Sequence, residues 1–471
     1  MKNTRCGNKR HAARMILTAM MLFSCARKPA AEPLVISVPA DSGEVPLQTE
    51  ETIERAEETL PFIAAQTAFY ADRTIYSAAK GLLSYAPVET GEASPLCFDP
   101  LCAHDNAVEC PARIGVESAI LIKDGTVYYT ARGVVDTMKI PYEWAYQLRS
   151  MEIATGKVSI LLEQEDPIGN FWLLGNEIYL SVPASRETSA DASGEHIHYI
   201  GYDIARLEKN GSLTVVLEDP DGTAPALIGS DNGAVYYTGM YGNTPIYAAD
   251  YGFRKSVPAF ETDPRSYNAE VFDDCLYYIR WTDRKIPDPS ETVEGDFDED
   301  VSVTGHGTYV LELVRKRFGE NEAEILCDSV PLPGVDGPRY RQLFRIDREK
   351  NALYYVPLDF SYQGYVIWEF SAEEKALQAQ TGDFHDKQIL TKIYSKTGGR
   401  LVLLDLGTLE ARDVLSDCGA DIVDLYVGEE GRVWSRFELY NVEEIKVKMA
   451  AGESHDSMLT CAYIGSEEIL P

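Results

Sequence analysis

A chain of 471 residues is long enough for two or three ordinary domains or for one large domain built from repeats. Its hydrophobic content of 45% excludes global disorder, and its 28 tyrosines, most of them in short apolar runs, favour β-strands. The formal net charge of −32 gives a surface that repels phosphates, so neither nucleic acid nor an anionic lipid surface is expected as a partner.

The first 24 residues are predicted to be a signal peptide. Five basic residues precede an apolar run over 15–23, and these nine residues are too few for a transmembrane helix, which takes about 20. The run ends in Leu22-Phe23-Ser24-Cys25, which is similar to a bacterial lipobox, although Phe23 replaces the usual small residue. We expect Cys25 to carry a lipid that is the protein's only membrane contact, with a plain secretory signal as the alternative.

Residues 25–58 are predicted to form a flexible acidic tether. They are rich in Ala, Pro, Glu and Ser and have no sustained apolar period. The folded body is then expected over residues 59–471.

The body repeats a short element in which a turn is followed by an apolar residue and an aromatic residue. Asp124-Gly125 and Asn232-Gly233 begin two of the copies, and both dipeptides favour the tight turns that join antiparallel strands. Seven such anchors occur, at Ile75-Tyr76, Val127-Tyr128-Tyr129, Ile178-Tyr179, Val235-Tyr236-Tyr237, Leu276-Tyr277-Tyr278, Leu353-Tyr354-Tyr355 and Val433-Trp434.

A strand, a polar turn and a second strand follow the anchors, with apolar and polar residues alternating as in half-buried strands. The clear copies lie at 146–162, 204–217, 309–326, 365–377 and 400–415. Each unit therefore predicts four antiparallel strands, with the anchor on the second. The expected fold is all-β, a single β-propeller of about seven four-stranded blades, with eight blades or an array of β-sandwiches as alternatives.

Two insertions interrupt the repeats, and the first, at 97–113, carries candidate ligands. Its pattern C-x4-C-x-H-x5-C places Cys97, Cys102, His104 and Cys110 within 14 residues, a donor set that suits a structural tetrahedral zinc site. Because exported chains often meet an oxidising compartment, a disulfide among these cysteines is an equal alternative, and three reduced thiols are a further one.

The second insertion, at 283–307, is acidic and rich in Pro and Gly. Asp296, Asp298, Glu299 and Asp300 offer oxygen ligands for calcium, but their spacing does not match an EF-hand loop. A solvated surface loop is the favoured interpretation, and no calcium is expected there.

The lipobox, the acidic tether, the Tyr-Tyr strands and the Cys–His segment together resemble propeller lipoproteins of gut Firmicutes, a family of unknown function. The blades also resemble TolB-like and quinoprotein-like propellers, for example in the run Ile153-Ala154-Thr155-Gly156-Lys157. The resemblance implies an outward-facing, lipid-anchored propeller and implies no substrate.

Three functions stay open at this point. Because the common catalytic motifs are absent from the sequence, we favour a non-catalytic binding or scaffold protein that holds a glycan, a peptide or an envelope protein. The alternatives are a propeller hydrolase or lyase acting on polysaccharide, and a cell-envelope assembly or sensor component. No catalytic residue is assigned, because the abundant carboxylates hide any catalytic pair.

Overall fold

The structure is a computed structural model, and all the residues that it describes belong to one compact unit, Glu51–Pro471. The described residues are 56, 58–79, 81–87, 93–104, 110–115, 118–136, 143–191, 194–219, 222–239, 245–260, 266–285, 309–320, 322–331, 335–336, 339–340, 342–358, 366–370, 388–393, 399–416, 421–428, 433–439 and 460–465. The predicted signal peptide and Cys25 lie outside them, as do the acidic residues 296–300.

The described residues form 32 β-strands and no helix. The first sixteen strands are β1 (Phe62–Ala64), β2 (Ala68–Ala71), β3 (Thr74–Ala79), β4 (Leu82–Pro87), β5 (Ser94–Pro95), β6 (Ile120–Lys123), β7 (Thr126–Asp136), β8 (Glu143–Glu152), β9 (Val158–Gln164), β10 (Phe171–Leu174), β11 (Glu177–Asp191), β12 (Gly194–Leu207), β13 (Leu213–Leu217), β14 (Pro225–Asp231), β15 (Ala234–Gly239) and β16 (Ile246–Ala249).

The remaining strands are β17 (Ser256–Phe260), β18 (Ser266–Phe272), β19 (Cys275–Lys285), β20 (Tyr309–Arg317), β21 (Glu324–Val330), β22 (Val335–Asp336), β23 (Arg339–Tyr340), β24 (Phe344–Asp347), β25 (Ala352–Tyr355), β26 (Val366–Phe370), β27 (Gln388–Ile393), β28 (Leu401–Asp405), β29 (Ala411–Leu415), β30 (Asp421–Val427), β31 (Val433–Leu439) and β32 (Thr460–Gly465). Within the described ranges, no helix is long and apolar enough to cross a membrane.

The strands assemble into six antiparallel blades of four or five strands, a further sheet of three, and the two-stranded sheets β22-β23 and β26-β27. The blades are blade 1 (β2-β3-β4-β5), blade 2 (β6-β7-β8-β9), blade 3 (β1-β10-β11-β12-β13), blade 4 (β14-β15-β16-β17), blade 5 (β18-β19-β20-β21) and blade 6 (β24-β25-β28-β29). The three-stranded sheet, β30-β31-β32, is called the terminal sheet below. Every anchor predicted from the sequence lies on the second strand in chain order of its repeat, which confirms the four-strand repeat in the six blades.

The expected number of blades was wrong. The described residues contain six blades rather than seven or eight, because the seventh anchor, Val433-Trp434, lies in the terminal sheet, which has only three strands. The second strand of the hairpin expected at 365–377 lies outside the described residues, and β26 pairs with β27. The pair β26–β27 is inserted between the second and third strands of blade 6, and the segment at 400–415 supplies the outer strands β28 and β29 of that blade.

The sheets are arranged as a propeller, with the first strands of neighbouring sheets packed against one another. Contacts join β2 to β6, β14 to β18, β18 to β24, β24 to β30 and β30 to β2, while β1 contacts both β10 and β14. The chain between β1 and β2 links blades 3 and 2, since Ala65 N donates to Phe171 O and Gln66 forms a bridge with Ile120. This arrangement excludes the array of β-sandwiches.

The antiparallel order gives the two faces of the ring different connections. Turns between first and second strands fall on one face, the short-turn face, and several are two residues long with positive φ, as at Asp124-Gly125 and Asn232-Gly233. Connections between second and third strands fall on the opposite face, called the long-connection face. In blades 2, 5 and 6 the chain between these strands comprises residues 137–142, 286–308 and 356–400, most of which lie outside the described residues.

The aromatic residues of the anchors lie between the sheets. Tyr129, Tyr179, Tyr236, Tyr277 and Tyr354 are all at most 1% exposed. A second strand has sheet neighbours on both sides, so a large ring there removes much apolar surface from water, worth roughly 1.5–3 kcal/mol per side chain. Burial between blades therefore explains why the repeat retains an aromatic residue at this position.

The side chain of Gln66 bonds two sheets near the inner strands. Its Nε2 donates to Val427 O at 2.8 Å, and its Oε1 accepts from Val427 N at 3.1 Å and from Arg345 Nη2 at 3.1 Å. Arg345 also pairs with Glu270 of blade 5 at 3.1 Å. One amide therefore connects the chain before blade 1 to the terminal sheet and to blade 6.

Ring packing completes the boundary between blade 1 and the terminal sheet. The rings of Tyr70 and Trp434 stack with centroids 4.3 Å apart, and the Thr67 hydroxyl bonds the Tyr426 hydroxyl at 3.1 Å. Gly428 is required by this close approach, because a Cβ there would lie 2.6 Å from Tyr70 O. In the described residues no sheet combines strands from both ends of the chain, so side chains close the ring.

Asp424 of β30 is a fully buried acid in the same region. Its Oδ1 accepts from Gln342 N at 2.8 Å and from Leu425 N at 3.0 Å. Burial raises the pKa of Asp424 to about 6, although the positive charges of Arg436 and Arg345 act in the opposite direction.

Gln66→Ala is expected to lower the free energy of unfolding by about 3 kcal/mol, since it leaves both polar groups of Val427 and one nitrogen of Arg345 without this partner. Urea unfolding of the mature chain measures the loss. Gln164→Ala is the control, because that side chain bonds only carbonyls two and three residues away. Equal small losses in both variants would contradict the role of Gln66.

Asp424→Asn is expected to change how stability depends on pH. A carboxyl whose pKa is raised by folding loses stability as pH rises from its unfolded pKa through its folded pKa, and asparagine keeps the Oδ1 acceptor without titrating. The stability of the variant relative to the parent should therefore increase by about 1 kcal/mol between pH 5 and 7.5. Asp413→Asn, at an exposed acid, should show no such trend in the same urea titrations.

Candidate metal centre

The four sequence-predicted ligands meet at one place in the structure. The ligand atoms of Cys97, Cys102, His104 and Cys110 all lie within 4.8 Å of one another, and His104 Nδ1 is 3.4 Å from Cys110 Sγ. Cys110 is buried at 2% exposure, and the other three residues are half-buried. The three cysteines are free thiols in the structure.

Short local hydrogen bonds shape the part of the loop that holds the first two thiols. Cys97 N donates to Pro95 O at 2.8 Å, and Cys102 N donates to Asp99 O at 3.2 Å. The carboxylate of Asp99 accepts from Leu101 N at 2.9 Å, so the turn between the two cysteines is held by its own aspartate. The sequence thus positions both thiols without a regular element.

His104 enters the cluster through an unusual backbone conformation. Its φ is 57°, in the left-handed region that non-glycine residues rarely adopt. Its carbonyl oxygen accepts a hydrogen bond from Arg113 Nε, which ties the histidine to the chain beyond Cys110. A conformation of this kind costs of order 1–3 kcal/mol, so the surrounding contacts must hold it.

The segment that follows Cys110 connects two blades. Leu83 N of blade 1 donates to Ala112 O at 2.7 Å, and Leu82 forms a bridge with Arg113. Two residues on, Ile114 O accepts from Arg132 N of blade 2 at 2.7 Å. The candidate centre therefore lies in a clasp between blades 1 and 2.

The other end of the loop contacts blade 2 through Phe98. A Cβ on Gly156, in the turn between β8 and β9, would lie 2.3 Å from the Phe98 ring, and Gly156 has a φ of 69°. This close approach makes glycine necessary at position 156 and fixes the position of Phe98, the residue next to Cys97.

The electrostatics of the centre favour the binding of a cation to the three cysteine sulfurs. Burial raises the pKa of the Cys110 thiol to about 11, the hydrogen bond with Cys102 adds to this, and the charge of Cys97 adds further. Without a metal, the Cys110 thiolate is therefore costly beside the other two sulfurs. A dication reverses this balance, because a coordinating thiol is deprotonated by the metal.

The donor set and its spacing fit zinc. Bond lengths of about 2.3 Å to sulfur and about 2.0 Å to nitrogen place tetrahedral ligands roughly 3.5–3.8 Å apart. His104 Nδ1 and Cys110 Sγ already lie 3.4 Å apart, and since all the ligand atoms lie within 4.8 Å of one another, a contraction of about 1 Å at most is needed. Four protein ligands would fill the coordination sphere, which is typical of a structural zinc site rather than a catalytic one.

The remaining cysteines lie away from this cluster or outside the described side chains. Cys275 is buried in β19, and Cys327 in β21 donates a weak bond to Ser329 O at 3.4 Å. Cys418 lies outside the described residues, and only the backbone of Cys461 is described.

Sequence analysis missed a second group of potentially functional residues on blades 2 and 3. Trp144 and Tyr146 alternate along β8, with the Arg132 guanidinium over both rings, and Tyr199 lies on β12 of the next blade. Their only signal in the sequence is the i, i+2 spacing of the aromatic residues Trp144 and Tyr146 on one strand. Such spacing also occurs in ordinary cores, so it is too weak to select them.

No protein-family model matches the chain, and no curated protein sequence matches it. Solved structures similar to it include an oligogalacturonate lyase in complex with manganese, at 8% identity and a TM-score of 0.39 over 89% of this chain and 99% of that one. An oligogalacturonate lyase from Vibrio parahaemolyticus has 9% identity and a TM-score of 0.39 over 86% and 90%.

The β-propeller domain of the trilobed protease from Pyrococcus furiosus is also similar, at 10% identity and a TM-score of 0.36 over 68% of this chain and 76% of that one. At identities of about a tenth, these are likenesses of fold, and the ligands and reactions of those proteins are their own.

Proposed function

We propose that this protein is an exported, lipid-anchored binding or scaffold protein of the cell surface, with a non-catalytic propeller and a structural zinc clasp between blades 1 and 2. The lipobox at Cys25 and the resemblance to propeller lipoproteins of gut Firmicutes support its export and attachment. The acidic chain supports a partner other than nucleic acid.

The observation that carries the non-catalytic part is that two acids near the inner strands are held by structural bonds. Glu270 pairs with Arg345 at 3.1 Å and accepts from Ile346 N at 3.3 Å. Asp424 accepts from Gln342 N and Leu425 N. A polysaccharide hydrolase would need two carboxyl groups directed at a substrate, whereas these two are used to join sheets.

The zinc clasp is supported by its position as well as by its donors. The four ligands lie on a loop whose ends bond blade 1 on one side and blade 2 on the other. A bound ion would therefore act on the boundary between two blades, and binding free energy would appear as folding free energy.

The chain purified without chelator under nitrogen is expected to hold about one zinc ion per molecule, measured by atomic emission together with free-thiol titration. His104→Ala and Cys110→Ser should lose the ion, because each removes a ligand. The free energy of unfolding should be about 2.7 kcal/mol lower without zinc than in the presence of free zinc at 100 times its Kd.

Cys327→Ser is the matched control, since that thiol lies outside the cluster, and its zinc content should be unchanged. A chain that holds no metal, and in which two of the three clustered cysteines resist alkylation until they are reduced, would contradict the zinc clasp. The segment would then be held by a disulfide.

Cys25→Ser is expected to move the protein from the membrane fraction to the soluble fraction of an expressing bacterium, because the acyl chains provide the anchorage. Cys6→Ser, within the predicted signal peptide, is the control and should leave the protein on the membrane. Retention of the Cys25 variant in the membrane fraction would contradict the lipid anchor.

A further inference from the structure

The hairpin of β11 and β12 extends beyond the rest of blade 3 on the long-connection face. These strands have 15 and 14 residues, whereas the pairing with β10 ends at Leu180 and the pairing with β13 begins at Ile204. Residues 184–189 are exposed, as are Ile197, His198 and Ile200. The projecting ribbon adds little to the core, so packing within blade 3 does not explain its length.

Blade 2 presents an aromatic and cationic surface on the same face of the ring. Arg132 of β7 is paired with Tyr146 of β8, and Trp144 lies two residues further along on the same side of the sheet. The guanidinium carbon is 5.6 Å from the Trp144 ring centroid and 5.9 Å from that of Tyr146. No carboxylate of the described residues forms an ion pair with Arg132.

Blade 3 contributes Tyr199 and Arg186, which are cross-strand partners in the ribbon. Arg186 lies 3.5 Å from Glu165 and 3.4 Å from Asp166, in the connection that leads from blade 2 to blade 3. Tyr146 is paired with Gln164 at the end of β9, and the next two residues, Glu165 and Asp166, are the partners of Arg186. Residues of the two blades therefore form one surface.

We propose that Arg132, Trp144, Tyr146, Arg186 and Tyr199, here called the interblade aromatic patch, bind a neutral oligosaccharide. Sugar rings present C–H faces that pack on aromatic side chains, and hydroxyls that both donate and accept hydrogen bonds. The patch supplies aromatic surface, guanidinium donors, a phenol and the acceptors Glu165 and Asp166.

Charge distinguishes a neutral sugar from an acidic one. A chain of net charge −32 repels polyanions at long range, and the carboxylates of Glu165 and Asp166 border the patch. A neutral glycan is repelled neither by the net charge of the chain nor by these carboxylates, and it can use the same donors and acceptors.

The backbone beside Trp144 and Tyr146 gives a peptide no edge to join as a strand, whereas β11 and β12 run past their pairing with β10 and β13. Tyr146 lies on β8, which is paired on one side with β7 and on the other with β9, so it offers no free edge beside the rings. Strand addition needs unpaired N–H and C=O groups, which β8 does not present there. Recognition on the blade 2 part of the patch therefore depends on side chains.

The inference rests on the proposed binding function and names its ligand class. The test is calorimetric titration of the mature chain with an array of neutral α- and β-linked hexose and pentose oligosaccharides, with a galacturonate hexamer alongside. At least one neutral oligosaccharide is expected to bind. Trp144→Ala, Arg132→Gln and Tyr199→Phe should each weaken binding about tenfold or more, equivalent to about 1.4 kcal/mol.

Phe318→Ala is the matched control, because Phe318 is a 43% exposed aromatic residue next to β20, on the short-turn face. Its affinity should be unchanged, and thermal melting should show that all four variants are folded. Arg132→Gln and Tyr199→Phe are small changes that keep the test informative if Trp144→Ala unfolds.

Binding of the galacturonate hexamer alone would overturn the neutral ligand class. Neutral binding that is the same in all four variants would overturn the patch, and so would an array on which nothing binds. The Cys25 and zinc experiments have independent readouts, so a failure of the sugar inference is distinguishable from a failure of the proposed surface attachment.

Discussion

Closure of the ring is the constraint on which the rest of this structure depends. A propeller made of sheets from one chain must bring its first and last sheets together, and here no described sheet shares strands from both chain ends. The boundary is instead held by the Gln66 amide on Val427 and by the stacked rings of Tyr70 and Trp434. A buried amide with satisfied bonds is directional, so it fixes the register of the closure as well as its stability.

The same polar contacts determine what the inner strands are available to do. Arg345 links Gln66 to Glu270, and Asp424 accepts two backbone N–H groups in the same region. These groups would be costly if left unpaired in the interior, so the structure consumes them in joining sheets. These groups are therefore not free to bind a ligand or take part in a reaction, and the connections between strands are the parts of the ring that remain available for it.

The two faces of the ring differ in how much they can vary. On the short-turn face, two-residue turns with positive φ leave little room for change, because they set the pairing of the first two strands of each blade. At the long-connection face, the chain between the second and third strands varies in length while the described strands of each blade remain paired. The Cys–His segment belongs to a third category, since it reinforces the boundary between blades 1 and 2 from outside the sheets.

The sequence by itself determined the repeat, the strand that carries each aromatic anchor and the four residues that converge at the candidate metal centre. These follow from local physics, since a turn, a two-residue alternation and ligands within 14 residues are all encoded over short distances. The blade count, the β26–β27 insertion, the path of β1 into blade 3 and the Gln66 contacts were decided only by the tertiary structure. Each depends on partners far apart in the chain, and a single glutamine or a pair of alternate aromatics looks the same in sequence whether it packs in a core or joins two blades.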